Sequence, residues 1–323
     1  MTSELRAGSA FPPLPLEEWV ESKETLHRYA QIVGKVRLEY SPFRNHWWHV
    51  PLYVSTRGLT TSSIPYRSTT FEISFDLLDN RLVVSTSEGE GFVFALDDLP
   101  VAEFYRRLFD GLRSLGVEVS INATPFDLGD EQTLAENTFH CVYDRESVGR
   151  YWRILVQVDQ IFKEFAGRFN GKTSPVHLFW HGFDLAVTRF SGRRAPEREG
   201  ADKVTREAYS HEVISFGFWP GDRNTPAPAF YSYTAPEPDG LTGQPLRPEA
   251  AFWAPEGGMA LLMYDDLRKA DSPKTTVLEF MESAYEAGAK SAGWDIEALR
   301  THPPAMEEAK LRRGCSVENL DHK

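Results

Sequence analysis

The sequence predicts an α+β fold made of two related halves, each running helix, about four mainly antiparallel strands, helix, packed about a pseudo-two-fold axis. Three observations predict it. Short alternating apolar segments at 71–77, 81–86 and 92–96 are separated by the turn formers Asp79-Asn80 and Ser87-Glu88-Gly89-Glu90-Gly91, the pattern of an antiparallel meander. The same order of helical and strand patterns returns after residue 144. Residues also match between the halves. A shift of 132 positions lays Trp48-His49 on Trp180-His181 and Thr56-Arg57 on Thr188-Arg189. With a loop eight residues longer, Phe71-Glu72-Ile73 falls on His211-Glu212-Val213.

The elements follow in order. Residues 1–15 are Pro-rich and irregular. In 16–35, Trp19, Leu26, Tyr29, Ala30 and Val33 recur near helical spacing, with Gly34 as the expected stop. A strand is expected over 47–57, then the three meander strands. Pro100 opens a helix to Leu115, with Phe104, Leu108 and Leu112 on one stripe. A strand is expected at 117–126, and an acidic linker covers 127–143. Asp144 caps a long helix to residue 169, with Val148, Trp152, Leu155, Val158, Phe162 and Phe165 inward. Strands are expected at 176–180, 183–190, 208–218, 229–234 and 259–264, with loops at 193–202 and 222–227. The Pro/Gly-rich stretch 236–255 is long enough to suggest a lid or an interaction surface. A helix at 275–292 closes the body, and a charged tail covers 303–323. The halves are then 16–126 and 144–302.

Of the 323 residues, 41% are hydrophobic and 13% aromatic, enough for a large core. The formal charge of −12, with pI near 5.3, disfavours nucleic-acid and membrane-surface partners, because an acidic surface repels phosphate. Two cysteines, Cys141 and Cys315, make no disulfide framework and no thiolate zinc site. There is neither a signal-like N-terminus nor an apolar run of about 18 residues, so a soluble, cytoplasmic protein is expected. Phosphate-loop, dinucleotide and Gly-x-Ser-x-Gly motifs are absent, so no nucleotide cofactor is indicated.

The chemistry-bearing residues concentrate in two apolar runs, Trp47-Trp48-His49-Val50-Pro51-Leu52-Tyr53-Val54-Ser55-Thr56-Arg57 and His177-Leu178-Phe179-Trp180-His181-Gly182-Phe183-Asp184-Leu185-Ala186-Val187-Thr188-Arg189. On a regular strand, His49, Tyr53, Ser55 and Arg57 share a face, as do His177 and His181. His49, His177 and His211, with Glu212, could act as acids and bases or, for the histidines, as ligands of a divalent zinc or iron ion. Arg57 and Arg189 suit an anion clamp, with Trp48, Trp180 and Asp184 lining a ligand pocket, and Phe218 and Trp219 adding to its walls. The bland alternative fits the same residues: histidines hydrogen-bonded in the core, arginines paired with Asp184, Glu72 or Glu212, aromatics as packing. The favoured function is a small-molecule enzyme with its site between the halves. A metabolite- or protein-binding module and a scaffold without a site are the alternatives.

Several runs carry a family resemblance: Gln31-Ile32-Val33-Gly34-Lys35-Val36-Arg37-Leu38, Asn45-His46-Trp47-Trp48-His49-Val50-Pro51-Leu52-Tyr53-Val54 and Phe183-Asp184-Leu185-Ala186-Val187-Thr188-Arg189-Phe190-Ser191-Gly192-Arg193-Arg194, with Glu207-Ala208-Tyr209-Ser210-His211-Glu212. Through them the chain resembles a bacterial family designated domain of unknown function number 5996, over most of residues 11 to 300. The resemblance implies no activity. It implies glycine as a frequent residue at the position of His181, which ranks His181 below His49, His177, His211, Glu212, Arg57 and Arg189.

Overall fold

The structure is a computed structural model that describes residues 10–301, except 98, 131, 139, 140, 223 and 224. The charged tail, Cys315 and residues 1–9 of the irregular N-terminus lie outside the described residues. Helix α1 (Leu16–Tyr40) is followed by six strands: β1 (Tyr53–Val54), β2 (Gly58–Thr60), β3 (Ile64–Tyr66), β4 (Thr69–Asp76), β5 (Arg81–Thr86) and β6 (Gly91–Ala95). Two helices follow, α2 (Val101–Ser114) and α3 (Arg145–Gly167). The second set comprises β7 (His177–Phe179), β8 (Asp184–Arg194), α4 (Lys203–Ala208), β9 (His211–Trp219), β10 (Ala229–Ala235), β11 (Phe252–Trp253) and β12 (Met259–Met263). Helices α5 (Tyr264–Arg268) and α6 (Pro273–Ser291) close it.

Both sheets are antiparallel throughout. The first runs β1-β2-β4-β5-β6, with β3 also on β4; the second runs β11-β12-β10-β9-β8-β7. They meet edge to edge, because Leu52 and Leu178 exchange both backbone hydrogen bonds, at 2.9 and 2.8 Å. One contiguous apolar cluster spans the chain from Phe11 to Trp294. Helices α3 and α6 cover one face of the second sheet: Phe162 packs on Phe230, Phe165 on Phe216, and Gly288 against Thr234. Strand alternation turns Tyr231, Tyr233, Gly217 and Trp219 to the opposite face.

The long periodic elements stand where the sequence places them. Asp144 caps α3, its carboxylate accepting from the backbone N–H of Ser147 at 2.9 Å and of Glu146 at 3.3 Å. Helix α1, however, runs six residues past Gly34. That glycine is a packing residue, since a Cβ there would collide with the Trp180 ring. The strand expected over 47–57 shrinks to two residues. Asn45–Trp47 forms a 3-10 turn with left-handed backbone at His46 (φ 56°) and Trp47 (φ 61°). Glu207 pins that turn, its carboxylate accepting the His46 N–H at 3.0 Å, and Pro51 removes a ladder donor. His49, Tyr53, Ser55 and Arg57 therefore do not share a strand face.

Residues 117–126 form no strand. Side chains hold this stretch instead: Tyr66 and Tyr40 hydroxyls accept the N–H groups of Glu118 and Ser120, and Gln31 accepts that of Phe126. Strand β8 continues to Arg194, through an irregularity in pairing after Phe190, where the sequence suggests a loop. Strand β9 starts at His211 because Asp202 caps the short α4 ahead of it. Among the described residues no helix is long and apolar enough to cross a membrane.

Candidate functional site

A cleft of about 1050 Å³ opens between α1, the loop 127–130 and the uncovered face of the second sheet. Its floor centres on Asp184 and Tyr231. A Cβ at Gly217, on the strand between them, would strike the Tyr231 ring. The missing side chain lets that ring lie across β9 toward β8, where the Tyr231 hydroxyl donates to Asp184 Oδ2. Burial raises the Asp184 carboxyl above the ordinary carboxylate range, a shift moderated by the Tyr231 hydrogen bond and by His181. Burial and the Asp184 charge raise the Tyr231 phenol well above its usual value, so its proton stays on oxygen. Tyr231 stacks on Tyr233 at 6.2 Å, and the Tyr233 and Tyr209 hydroxyls are bonded at 2.9 Å.

The turn between β7 and β8 presents His181, Gly182 and Asp184. Phe183 holds a left-handed backbone conformation (φ 59°), which costs a non-glycine residue about 1–3 kcal/mol. The ring of Phe183, fully buried between His27 (4.9 Å) and Tyr151 (5.5 Å), offsets that cost. Gly182 leaves room for Asp184 Oδ1, which a Cβ would approach to 2.8 Å. From α1, His27 Nε2 lies 2.8 Å from the Trp180 carbonyl and 3.2 Å from that of His181. Two acceptors require a donor, which assigns the Nε2–H tautomer and ties α1 to the turn. Burial, with Lys23 beside it, lowers the His27 pKa to about 4. His181 is open to the cleft yet surrounded by protein. Burial lowers its pKa while Asp184 and Asp127 pull it up.

Of the residues singled out in the sequence, the cleft contains Asp184, His181 and Trp219. The others lie elsewhere. His177 is 1% exposed among Trp48, Tyr53 and Phe179, and neither ring nitrogen meets a partner among the protein's atoms; burial and nearby Arg37 drive its pKa to about 3. His49 packs between Phe43 and Trp47, its Nδ1 accepting from the Arg44 N–H at 3.3 Å. His211 lies against His46 and Ser210. Trp48 meets Phe190 edge-on with Lys172 over its ring, and Trp180 is buried, donating to the Val50 carbonyl at 3.0 Å. Among the described residues no group of three or more His, Cys, Asp or Glu side chains could hold a metal ion, so His49, His177 and His211 do not form a ligand set.

The expected anion clamp is not assembled either. Arg57 is half exposed and pairs with Asp76 (2.8 Å) and Asp79 (2.7 Å) around the β4–β5 turn. Arg189 is 1% exposed, lies 3.4 Å from the Phe165 ring centroid, donates to the Phe165 carbonyl at 2.6 Å and faces Glu282 at 3.4 Å. Glu212 pairs with Arg193 at 2.7 Å. Each arginine ties together elements of its own half, with partners the sequence did not suggest. Cys141 is buried. Sequence reasoning missed His27, Tyr231 and Tyr233. A glycine inside the apolar run Ile214-Ser215-Phe216-Gly217-Phe218-Trp219 was the available signal for the ring that crosses it.

Fold and cleft together define an α+β protein with edge-joined antiparallel sheets and a titratable pocket on the open face of the second. The chain belongs to the family of unknown function DUF5996, whose sequence model matches residues 11–301. No curated protein and no solved structure matches it.

Proposed function

We propose that the protein handles a small molecule in the cleft, and that Asp184, backed by Tyr231, is the proton donor and acceptor there. One observation carries the reading: a carboxyl raised by burial, bonded to a phenol, stands in a cleft large enough for a metabolite. A carboxyl held above its usual range stays protonated to higher pH and can give its proton to a bound group. His181, neutral at neutral pH, is placed to accept one. His27 positions both by fixing the carbonyls of the turn. The wall from α1 and the floor from the second sheet come from different halves. Both sheets are antiparallel and meet at their leading edges, Leu52 against Leu178, which supports the further reading that the halves arose by duplication.

A second reading, binding without catalysis, is favoured by the Tyr231 bond, which already satisfies one Asp184 oxygen. The test of a site of either kind is a ligand-observed NMR screen of a fragment library against the parent protein and Asp184→Asn. At least one fragment should bind the parent saturably and lose most of its affinity in the variant. Equal binding of every hit to both proteins would remove Asp184 from the site. Turnover of a substrate related to such a hit, abolished by the same substitution, would then separate enzyme from binder.

A further inference from the structure

We propose that the cleft selects a small organic cation, an amine- or guanidinium-bearing molecule; this rests on the reading of the cleft as a ligand site. Among the described residues six acidic side chains, Asp184 one of them, line it beside two cations, Lys23 and Arg28. Arg28 is committed to Asp130, through two hydrogen bonds of 2.8 and 2.6 Å. Among the described residues neither Asp127, on the α1 side, nor Glu256, beside β12, pairs with a cation. The described residues therefore leave negative charge without a cationic partner on two different walls, at Asp127 and at Glu256. Between them lie aromatic faces: Tyr231 and Tyr233 are stacked within 10° of parallel, and Trp219 adds an indole.

Carboxylates flanking aromatic faces match the chemistry of a cation, which gains from both charge attraction and the ring quadrupole within about 6 Å of a centroid. An anion would be repelled by the same walls, and a neutral molecule would make no use of the surplus. The concave geometry concentrates the field of those carboxylates, and the protein's net charge of −12 draws in ligands of the same sign as the one proposed.

Isothermal titration calorimetry of the full chain with putrescine, and with butanediol and succinate as neutral and anionic counterparts, tests the proposal. Putrescine should bind saturably, while the other two should not. Asp127→Asn and Glu256→Gln, both at accessible positions, should each weaken putrescine about 2- to 5-fold. Raising salt from about 0.1 to about 1 M, which shortens the screening length from about 10 to about 3 Å, should weaken it further. Succinate or butanediol binding as well as putrescine would overturn the cation assignment. So would putrescine giving no saturable heat, or binding unchanged in both variants. In these cases an Asp184-dependent fragment from the screen would leave the cleft standing as a site; without one, both readings fall.

Discussion

The protein contains two gatherings of titratable side chains, and they differ in what surrounds them. At the junction of the sheets, His46, His49, His177 and His211 lie among Trp47, Trp48, Phe43 and Phe190, and three of the four histidines are at least nine-tenths buried. In the cleft, His181, Asp184 and Tyr231 meet open space. The junction has the denser sequence signal and the cleft has the room. Titratable residues in apolar runs thus mark a place where the fold buries polar groups. Whether a ligand can reach them depends on which walls are missing, and here the open wall is the sheet face that α3 and α6 leave bare.

The contrast predicts opposite responses to mutation. Trp180→Ala should have the largest effect on stability, about 3–5 kcal/mol, since it empties a buried indole site against Gly34 and drops the bond to Val50. Urea denaturation reads this directly. A loss under about 1 kcal/mol would mean the junction does not join the halves energetically.

Acid should act next, and on a buried histidine of each region. His177 and His27 have folded pKa values of about 3 and about 4, below the ordinary 6.5. A depressed pKa favours the neutral form in the fold. The associated stability is present above pH 6.5 and is lost as pH falls toward the folded values. Each residue should account for a loss of about 2 kcal/mol between pH 7 and 5. His177→Leu should flatten the urea midpoint against pH by that increment; an unchanged slope would show that His177 is solvated or partnered.

Smaller effects are expected in the cleft. Tyr231→Phe should cost about 1 kcal/mol and raise the Asp184 pKa further, because the phenol stabilises the ionised carboxylate. Carboxyl-carbon NMR reads that pKa. A midpoint that falls on losing the hydroxyl would contradict the assigned bond. Arg57→Ala should change least, within about 1 kcal/mol, because the guanidinium is half exposed and Arg81 still pairs with both Asp76 and Asp79. A larger loss would mean that Asp76 depends on Arg57 for its charge partner, and loss of fragment binding in that variant would restore Arg57 to the site.

Much of the fold was legible. The stripes of α2 and α3, the cap at Asp144 and the β4–β6 meander carry strong periodicity, and the structure keeps them. The short β1–β3 and the 45–47 turn were not legible, because Glu207, more than a hundred residues away, and the Leu52–Leu178 bridge fix their backbone. Gly34 reads locally as a helix stop and serves globally as the seat of Trp180. The cleft was legible only through Asp184, His181 and Trp219. His27 and Tyr231 reach them from distant segments, and nothing near either residue marks it. Ranking His181 last among the histidines followed the family resemblance; the geometry places it alone of those weighed at the cleft.

The most direct measurement is protein-observed NMR: amide shift mapping with the tightest fragment from the screen. The account predicts saturable shifts at Gly182, Asp184, Gly217, Tyr231 and Glu256, with His46, His49, His177 and His211 unmoved. Shifts centred on those four histidines instead would put the site at the junction and contradict the account.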